Sequence, residues 1–198
     1  MKRAKSTIGL EGLCYAMLTS DDTDGHSYGS VKKLPGSINA TLSPNAEETN
    51  QYADNGTVEV YSSIGDMEIS LEVTGLPSEV LMDWMGYRKD ANGVIIKDKD
   101  AQGDYFALGF RSLMANNKNK LVWAYKCKAS PPEEAFGTIE GTSVTYQTRT
   151  TTLAMMPREH DGKWQAYVDE NEDGVNATAI STFHDDVYEE TPATPPTP

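Results

Sequence analysis

Histidine and cysteine are the residue types that most often supply proton carriers, nucleophiles and zinc ligands. This chain has three histidines and two cysteines. His26, His160 and His184 each lie near acidic residues in polar stretches, and none has the spacing of a metal-binding pair. Cys14 and Cys127 lie in apolar alternating stretches, which favours buried free thiols over a redox pair or half of a zinc site. We therefore expect surface histidines and inert cysteines.

An acidic segment near the end of the chain has part of a calcium-loop pattern. Asp169-Glu-Asn-Glu-Asp-Gly174 places Asp, Asn, Asp and Gly at loop positions one, three, five and six. The ninth and twelfth positions are Ala177 and Ile180, so two ligands are missing. Asp169 to Glu190 holds eight acidic residues and no Lys or Arg. A solvated acidic end is the preferred interpretation, and a calcium-binding or partner-binding end is the alternative.

Other catalytic patterns are absent from the sequence. No serine nucleophile motif occurs, and Gly9 and Gly12 precede a predicted strand rather than the helix that a phosphate-binding loop requires. Carboxylate pairs occur throughout this acidic chain and single out no acid–base site. We therefore predict that the protein is not an enzyme and uses no metal or cofactor.

Composition and charge limit the remaining classes. The 198 residues are 38% hydrophobic, enough for one core, so we predict a single domain over residues 1–188 and a disordered Pro/Thr tail over residues 189–198. The net charge of −13 argues against a nucleic-acid reader, which needs a basic surface. No apolar run is long enough to span a bilayer, and Met1-Lys-Arg-Ala-Lys5 is not followed by the apolar core of a signal peptide, so we expect synthesis in the cytosol.

The stretch from Asp66 to Tyr87 joins the two clearest periodic patterns in the chain. From Met67 to Thr74 apolar and polar residues alternate, which predicts a strand with one solvated face. Leu76-Pro77 then begins a helix over residues 77–85 that ends at Gly86, with Trp84 in its apolar stripe. We expect this helix to pack across a sheet, with Trp84 largely buried.

Alternation elsewhere predicts a mainly β fold with a flanking helix, an α+β arrangement with a further short helix near the C-terminus. The predicted strands cover residues 8–18, 37–43, 57–74, 104–114, 121–129, 143–156 and 163–168. Val94-Ile95-Ile96 fits a short hairpin, and residues from Val175 to Val187 fit the C-terminal helix. Ser20 to Gly29 and Asn45 to Gly56 are polar and are expected to be loops.

A series of short motifs resembles the major tail proteins of long non-contractile-tailed phages (siphophages). The resemblance covers roughly residues 8 to 188 in one register, far more than any single motif. In order, the motifs are Ile8-Gly-Leu-Glu-Gly-Leu-Cys-Tyr-Ala-Met-Leu-Thr19, Tyr28-Gly29, Leu34-Pro-Gly36, Ser43-Pro-Asn45, Tyr52-Ala-Asp54, Gly65-Asp66, Leu76-Pro77, Asp90-Ala-Asn-Gly93, Tyr105-Phe-Ala-Leu-Gly-Phe-Arg-Ser112, Trp123-Ala-Tyr-Lys126 and Asp161-Gly-Lys-Trp164. The chain departs from the family pattern at Cys14, where an aromatic residue is common, and at Cys127, where glycine is common.

The resemblance implies a tail-tube protein of the virion. Its fold would be a β-sandwich or open barrel with a flanking helix, and six subunits would form rings that stack into a tube. DNA would pass through the channel on ejection without sequence-specific binding. The implied partners are further copies of the chain and other tail proteins such as the tape measure and the tail terminator, with no membrane. The acidic charge fits a channel that must not hold a polyanion.

The long polar segment Asn45 to Gly56 is the candidate contact between subunits. Loops of this length are usually functional or disordered, and we expect this one to be mobile in an isolated subunit and ordered on assembly. A solvated surface loop is the alternative. The candidate contact residues are Asn45, Glu47, Glu48, Asn50, Gln51, Tyr52, Asp54 and Asn55.

Two other functional classes remain open at the level of sequence. A non-catalytic β-sandwich binding module, either carbohydrate-binding or adhesin-like, would also be acidic, contain Tyr and Trp, and lack catalytic residues. A hydrolase is disfavoured because no nucleophile and base converge in the sequence.

Overall fold

The computed structural model describes residues 5–53, 56–134, 137 and 148–192, and for residues 45–64 it describes the backbone alone. The fold is mainly β with two short helices, which confirms the predicted class. In chain order the elements are β1 (Thr7–Asp22), β2 (Gly25–Tyr28), β3 (Lys32–Lys33), β4 (Ser37–Ala53), β5 (Gly56–Val73), α1 (Ser78–Met85), β6 (Arg88–Lys89), β7 (Ile95–Ile96), β8 (Phe106–Met114), β9 (Asn119–Ala129), β10 (Arg149–Met156), β11 (Gln165–Asp169) and α2 (Ala177–Thr182).

One nine-stranded antiparallel sheet forms most of the domain. Its main path runs β2-β1-β8-β9-β10-β5-β4, while β3 pairs with β1 and β11 pairs with β9. The sheet is strongly curved, because side chains from β1 and β5, far apart along this path, share one hydrophobic core. A separate two-stranded hairpin, β6 with β7, confirms the short hairpin predicted around Val94 to Ile96.

The long central strand and the helix that follows it form as the sequence predicts. Pro77 caps the start of α1, and the helix ends at Gly86, whose left-handed backbone (φ 68°) donates its N–H to the carbonyl of Met82. Helix α1 buries Val80, Leu81 and Trp84 against the curved sheet. The segment before β8 passes directly over the end of the helix, since a Cβ added at Gly103 would overlap the carbonyl of Trp84.

Strand β1 is buried on both faces over its central residues, 13–16. Leu13 and Tyr15 belong to the inner core, whereas Cys14 and Ala16 belong to a second hydrophobic cluster on the outer face of the sheet. Residues 13–16 therefore lie between two hydrophobic layers. The register with β8 shifts between Glu11 and Cys14, next to a glycine at positive φ, so a bulge bends the strand at that point.

Two segments predicted as loops are strands in the structure. Residues 20–29 complete β1 and form β2, joined by a tight turn after Asp22. Residues 45–53 continue β4, which pairs with β5 along almost its whole length. The loop predictions were wrong because polar sequence was taken as a sign of irregular backbone, whereas these strands lack the apolar–polar alternation by which a half-buried strand is recognised.

The remaining predicted strands all have counterparts, with shifts of a few residues at their ends. Strand β10 begins at Arg149, and the earlier part of the predicted strand, residues 143–147, lies outside the described residues. The C-terminal helix is shorter than the apolar pattern implied. It ends at Thr182, and Phe183 and Val187 lie beyond it, buried against the outer face of the sheet.

Candidate assembly surface

The β4–β5 hairpin extends beyond the rest of the sheet. Strand β5 pairs with β10 only over residues 67–73, and its residues 56–64 pair with β4 alone. We call residues 46–53 and 56–64 the hairpin arm. At about 3.4 Å per residue, eight strand residues project roughly 27 Å from the sheet. In the described part of the chain no further strand pairs with either edge of the arm.

An isolated two-stranded hairpin of this kind is marginally stable in water. The arm therefore needs neighbours that this chain does not supply among its described residues, and a second subunit is the simplest source.

The structure places most of the predicted contact residues on one strand of the arm. Asn45 lies at the irregular step in register between Pro44 and Ala46, where the arm leaves the sheet. Asp54 and Asn55 lie outside the described residues. The backbone partners of the others are Ser63 for Glu47, Ser62 for Glu48, Val60 for Asn50, Glu59 for Gln51 and Thr57 for Tyr52.

A second unpaired region lies where the curved sheet fails to close. The first residues of β1 face the first residues of β4 across a groove of about 590 Å³. We call this groove the seam. Its lining includes the exposed side chains of Ile8, Ile38 and Tyr167, which are 63%, 43% and 61% accessible. The sheet is therefore an open barrel, with apolar side chains along the opening.

Lys120 is the charged residue that lines the seam, and its ammonium lies 4.6 Å from the centre of the Tyr167 ring. Nothing in the sequence analysis singled out the seam, because it is formed by strands distant in the chain. Four large apolar or aromatic side chains are exposed, and three of them line the seam. Their exposure marks this surface, but it is known only from the structure. The four residues are Ile8, Ile38, Val94 and Tyr167.

Both cysteines and two of the three histidines are buried or partly buried in the fold. Both cysteine side chains are buried, and burial raises the pKa of each thiol to about 12, which leaves them neutral near pH 7 and confirms buried free thiols. The expectation of surface histidines was wrong for two residues. His26 keeps 16% side-chain exposure and lies 2.9 Å from Glu189, and burial lowers the pKa of His184, whose ring packs on Trp123.

A buried arginine connects the end of β10 to the C-terminal segment. The Arg158 side chain is fully buried, and its guanidinium donates hydrogen bonds to the carboxylates of Asp161 and Glu189 at 2.6 Å each. It also lies 4.0 Å from the centre of the Tyr125 ring. Two carboxylates compensate the buried charge, which explains how an apolar layer tolerates it.

Acid should loosen this cluster through Asp161. Burial opposes its ionisation, but hydrogen bonds from Arg158 and from the Lys163 N–H outweigh that effect and lower the pKa from 3.8 to about 2. A lowered pKa stabilises the fold above about pH 4, and this stabilisation is lost as the pH falls from 4 to 2. After an allowance for solvent screening it amounts to about 1–2 kcal/mol.

We therefore expect Asp161→Asn to lower the free energy of unfolding at pH 7 by about 1–2 kcal/mol and to flatten its pH dependence between pH 4 and 2. Urea unfolding at several pH values measures both quantities. Asp185→Asn, at an acidic residue outside this cluster, is the matched control. An unchanged slope in the Asp161→Asn protein would contradict the assignment.

The acidic stretch after β11 forms local turns. Asp169 Oδ1 accepts hydrogen bonds from the backbone and side-chain amides of Asn171, and the Glu170 carboxylate accepts one from the N–H of Asn119. These carboxylates stabilise the end of β11 and the start of β9, which is a structural role for the acidic residues of this turn.

The prediction that calcium binds nowhere specific in this stretch remains a prediction. Calorimetric titration should give no stoichiometric sub-millimolar site, because the loop lacks oxygen ligands at Ala177 and Ile180. A stoichiometric heat signal would overturn it.

Comparison with known proteins gives no match that bears on the candidate surface. No family model matches the chain, and no curated protein matches it in a sequence search. Within the described residues no helix is long and apolar enough to cross a membrane. The described residues also contain no group of three His, Cys, Asp or Glu side chains placed to hold a metal ion.

Proposed function

We propose that this chain is a self-assembling structural protein, the major tail-tube subunit of a long non-contractile-tailed phage. In this proposal, six copies form a ring, and rings stack into a tube through which DNA is ejected. The chain would be made in the host cytoplasm and would reside in the virion. The observation that carries the proposal is the hairpin arm, which pairs only with itself among the described residues.

The seam supports the same proposal. Its exposed Ile8, Ile38 and Tyr167 lie beside the strand edges of an open barrel. Open strand edges with apolar flanks favour pairing with another chain, and soluble monomers usually protect them. The arm consists of strands without neighbouring strands, and the seam is a gap that lacks a strand, so each supplies what the other lacks. We therefore place the contact between subunits at these two features, with the arm contributing Glu47, Glu48 and their neighbours.

The charge of the chain is compatible with a DNA channel. A net charge of −13 removes the attraction that would retain a polyanion during passage. This argument concerns the whole subunit and assigns no particular residue to the channel wall.

Electron microscopy tests the proposal directly. We expect the purified protein, imaged in negative stain after concentration, to form rings or tubes of uniform diameter. A glycan array run in parallel should show no binding, which separates a tube subunit from a carbohydrate-binding or adhesin-like module. A protein that stays monomeric at every concentration and binds a glycan would replace the proposal with that alternative.

A further inference from the structure

Lys120 of β9 carries the charge of a groove that is otherwise uncharged. It lines the seam, where its ammonium lies 4.6 Å from the centre of the Tyr167 ring. It is absent from the lysines that form ion pairs with carboxylates in the described part of the chain, which are Lys32, Lys97, Lys126 and Lys163. A carboxylate that enters this partly apolar groove is therefore attracted to Lys120 with less screening than on an open surface.

The hairpin arm has the opposite charge. Its sequence contains Glu47, Glu48 and Glu59 and no Lys or Arg. The side chains that line the seam include one positive charge and no negative charge. The charges of the arm and the seam are therefore complementary, and the arm is an occupant whose chemistry suits the groove.

The open backbone edge along the seam also fits a strand of the arm. Residues 7–12 of β1 pair with β8 on one side, and no described strand pairs with them on the other. These six residues span roughly 20 Å, and the arm strand of residues 46–53 spans roughly 27 Å. One strand of the arm is therefore long enough to pair along the whole open edge of β1.

The arm that occupies a seam must come from a second copy. Strand β4 contributes residues 38–40 and 42 to the wall of the seam, and the same strand continues through residues 46–53 of the arm. The arm therefore extends away from the seam of its own chain and cannot enter it unless β4 reverses its direction. A contact between two different surfaces of identical chains leaves a free arm and a free seam at its ends, so it generates rings or filaments.

We propose that Lys120 in the seam of one copy binds a carboxylate of the arm of a second copy, and that this ion pair selects the arm and makes assembly depend on ionic strength. The inference rests on the proposed self-assembly and adds the residue that recognises the partner. The apolar side chains of the seam contribute affinity for any strand that enters it, whereas Lys120 favours an acidic strand over a neutral or basic one.

Charge reversal at Lys120 tests this recognition. In full-length Lys120→Glu the seam repels the arm, and we expect the protein concentration at which assembly begins, measured by light scattering, to rise about tenfold or more. Lys128→Glu is the matched control and should leave that concentration unchanged. Lys128 also belongs to β9, and its ammonium lies 5.1 Å from the centre of the Tyr105 ring. An equal rise in both variants, or no rise in Lys120→Glu, would overturn the proposal.

Salt dependence gives a second measurement that needs no reversed charge. An increase from about 0.1 to 1 M NaCl shortens the screening length from about 10 to 3 Å. The concentration at which wild type begins to assemble should then rise about two- to fivefold, the range for a solvent-accessible ion pair. Lys120→Gln should already begin at a raised concentration in 0.1 M salt and respond much less to the increase. A response equal to that of wild type would contradict the role of Lys120.

A pair of complementary variants tests the identity of the partner. A full-length chain with Glu47→Lys, Glu48→Lys and Glu59→Lys has a basic arm, which Lys120 repels. This variant and Lys120→Glu should each fail to assemble at the wild-type concentration. Their equimolar mixture should assemble, since each arm then finds a seam of opposite charge on the other chain. A basic-arm variant that assembles alone, or a mixture that assembles no better than its components, would exclude the arm as the partner.

Cross-linking detects the contact even in small assemblies. One full-length variant carries Ile38→Cys in the seam and another carries Thr49→Cys in the arm, while Cys14 and Cys127 are buried and stay unreactive. A short bismaleimide should link the two variants in a mixture and neither variant alone. Such links, together with a wild type that never forms rings or tubes, would retain the docking and remove the tail-tube proposal. Tubes formed without these links would do the reverse.

Discussion

Trp84→Ala is expected to lower the free energy of unfolding by about 3–5 kcal/mol, the range for removing a large buried aromatic side chain. Trp84 is fully buried, its ring is stacked on Phe106 with centroids 4.4 Å apart, and Tyr15 meets it edge-on at 5.5 Å. The substitution leaves a cavity between α1 and the sheet that these neighbours cannot fill. Urea or thermal unfolding of the purified protein measures the loss.

Trp84→Phe is the matched control. The indole N–H of Trp84 has no hydrogen-bond partner among the described residues, so its removal sacrifices no hydrogen bond. Phenylalanine keeps the stack on Phe106, and we expect it to cost less than half as much as alanine. If the Trp84→Ala protein melts within a degree or two of wild type, α1 does not depend on this packing.

Removal of the hairpin arm is expected to abolish rings and tubes while leaving the melting transition of the subunit nearly unchanged. The variant joins Asn45 to Gly65 through a two-residue Asn-Gly turn and so omits residues 46–64. Replacing only Ala46 to Asn55 with a Gly/Ser linker would leave the partner strand unpaired, because residues 46–53 belong to β4 rather than to a loop. Since the omitted backbone pairs only with itself, the sheet retains its pairing with β10.

Microscopy and thermal unfolding of the same preparation measure both effects. Shortening the separate β6–β7 hairpin, by replacing Asp90-Ala-Asn-Gly93 with Asn-Gly, is the matched control and should leave tubes intact. Normal tubes from the armless protein would show that the arm is only a solvated hairpin. An unfolded armless protein would show that residues 46–64 belong to the folding core.

The sequence predicted the inner parts of the fold well. Wherever one face of an element is buried, apolar residues repeat with the period of that element, as from Met67 to Val73 and from Val80 to Trp84. Glycine and proline then marked the ends of α1, since Pro77 and Gly86 have backbone conformations that begin and end a helix. Burial of Trp84 and of both cysteines followed from the same alternation.

The candidate surface was predicted only in part. The polar segment was identified as unusual, but its strand conformation was missed because the run of polar residues at 45–53 has no apolar alternation to signal a strand. The packing of the C-terminal segment, residues 183–190, on the outer face of the sheet was also missed, and Glu189 was assigned to a disordered tail. The burial of this segment depends on Trp123 and Arg158, which lie 60 and 31 positions from their partners Phe183 and Glu189.

The sequence by itself determined which segments could be strands or helices, because local periodicity and turn residues act between neighbours in the chain. It also determined the acidic charge and the absence of a recognisable nucleophile, and its motifs resemble those of phage tail proteins. Only the tertiary structure decided the surfaces available to a partner. The seam arises because β1 and β4 approach each other without pairing, and the hydrophobic cluster on the outer face arises because β1, β8 and β9 converge with the C-terminal segment. Both depend on how a twisted sheet curves around its core, a property of all its strands together.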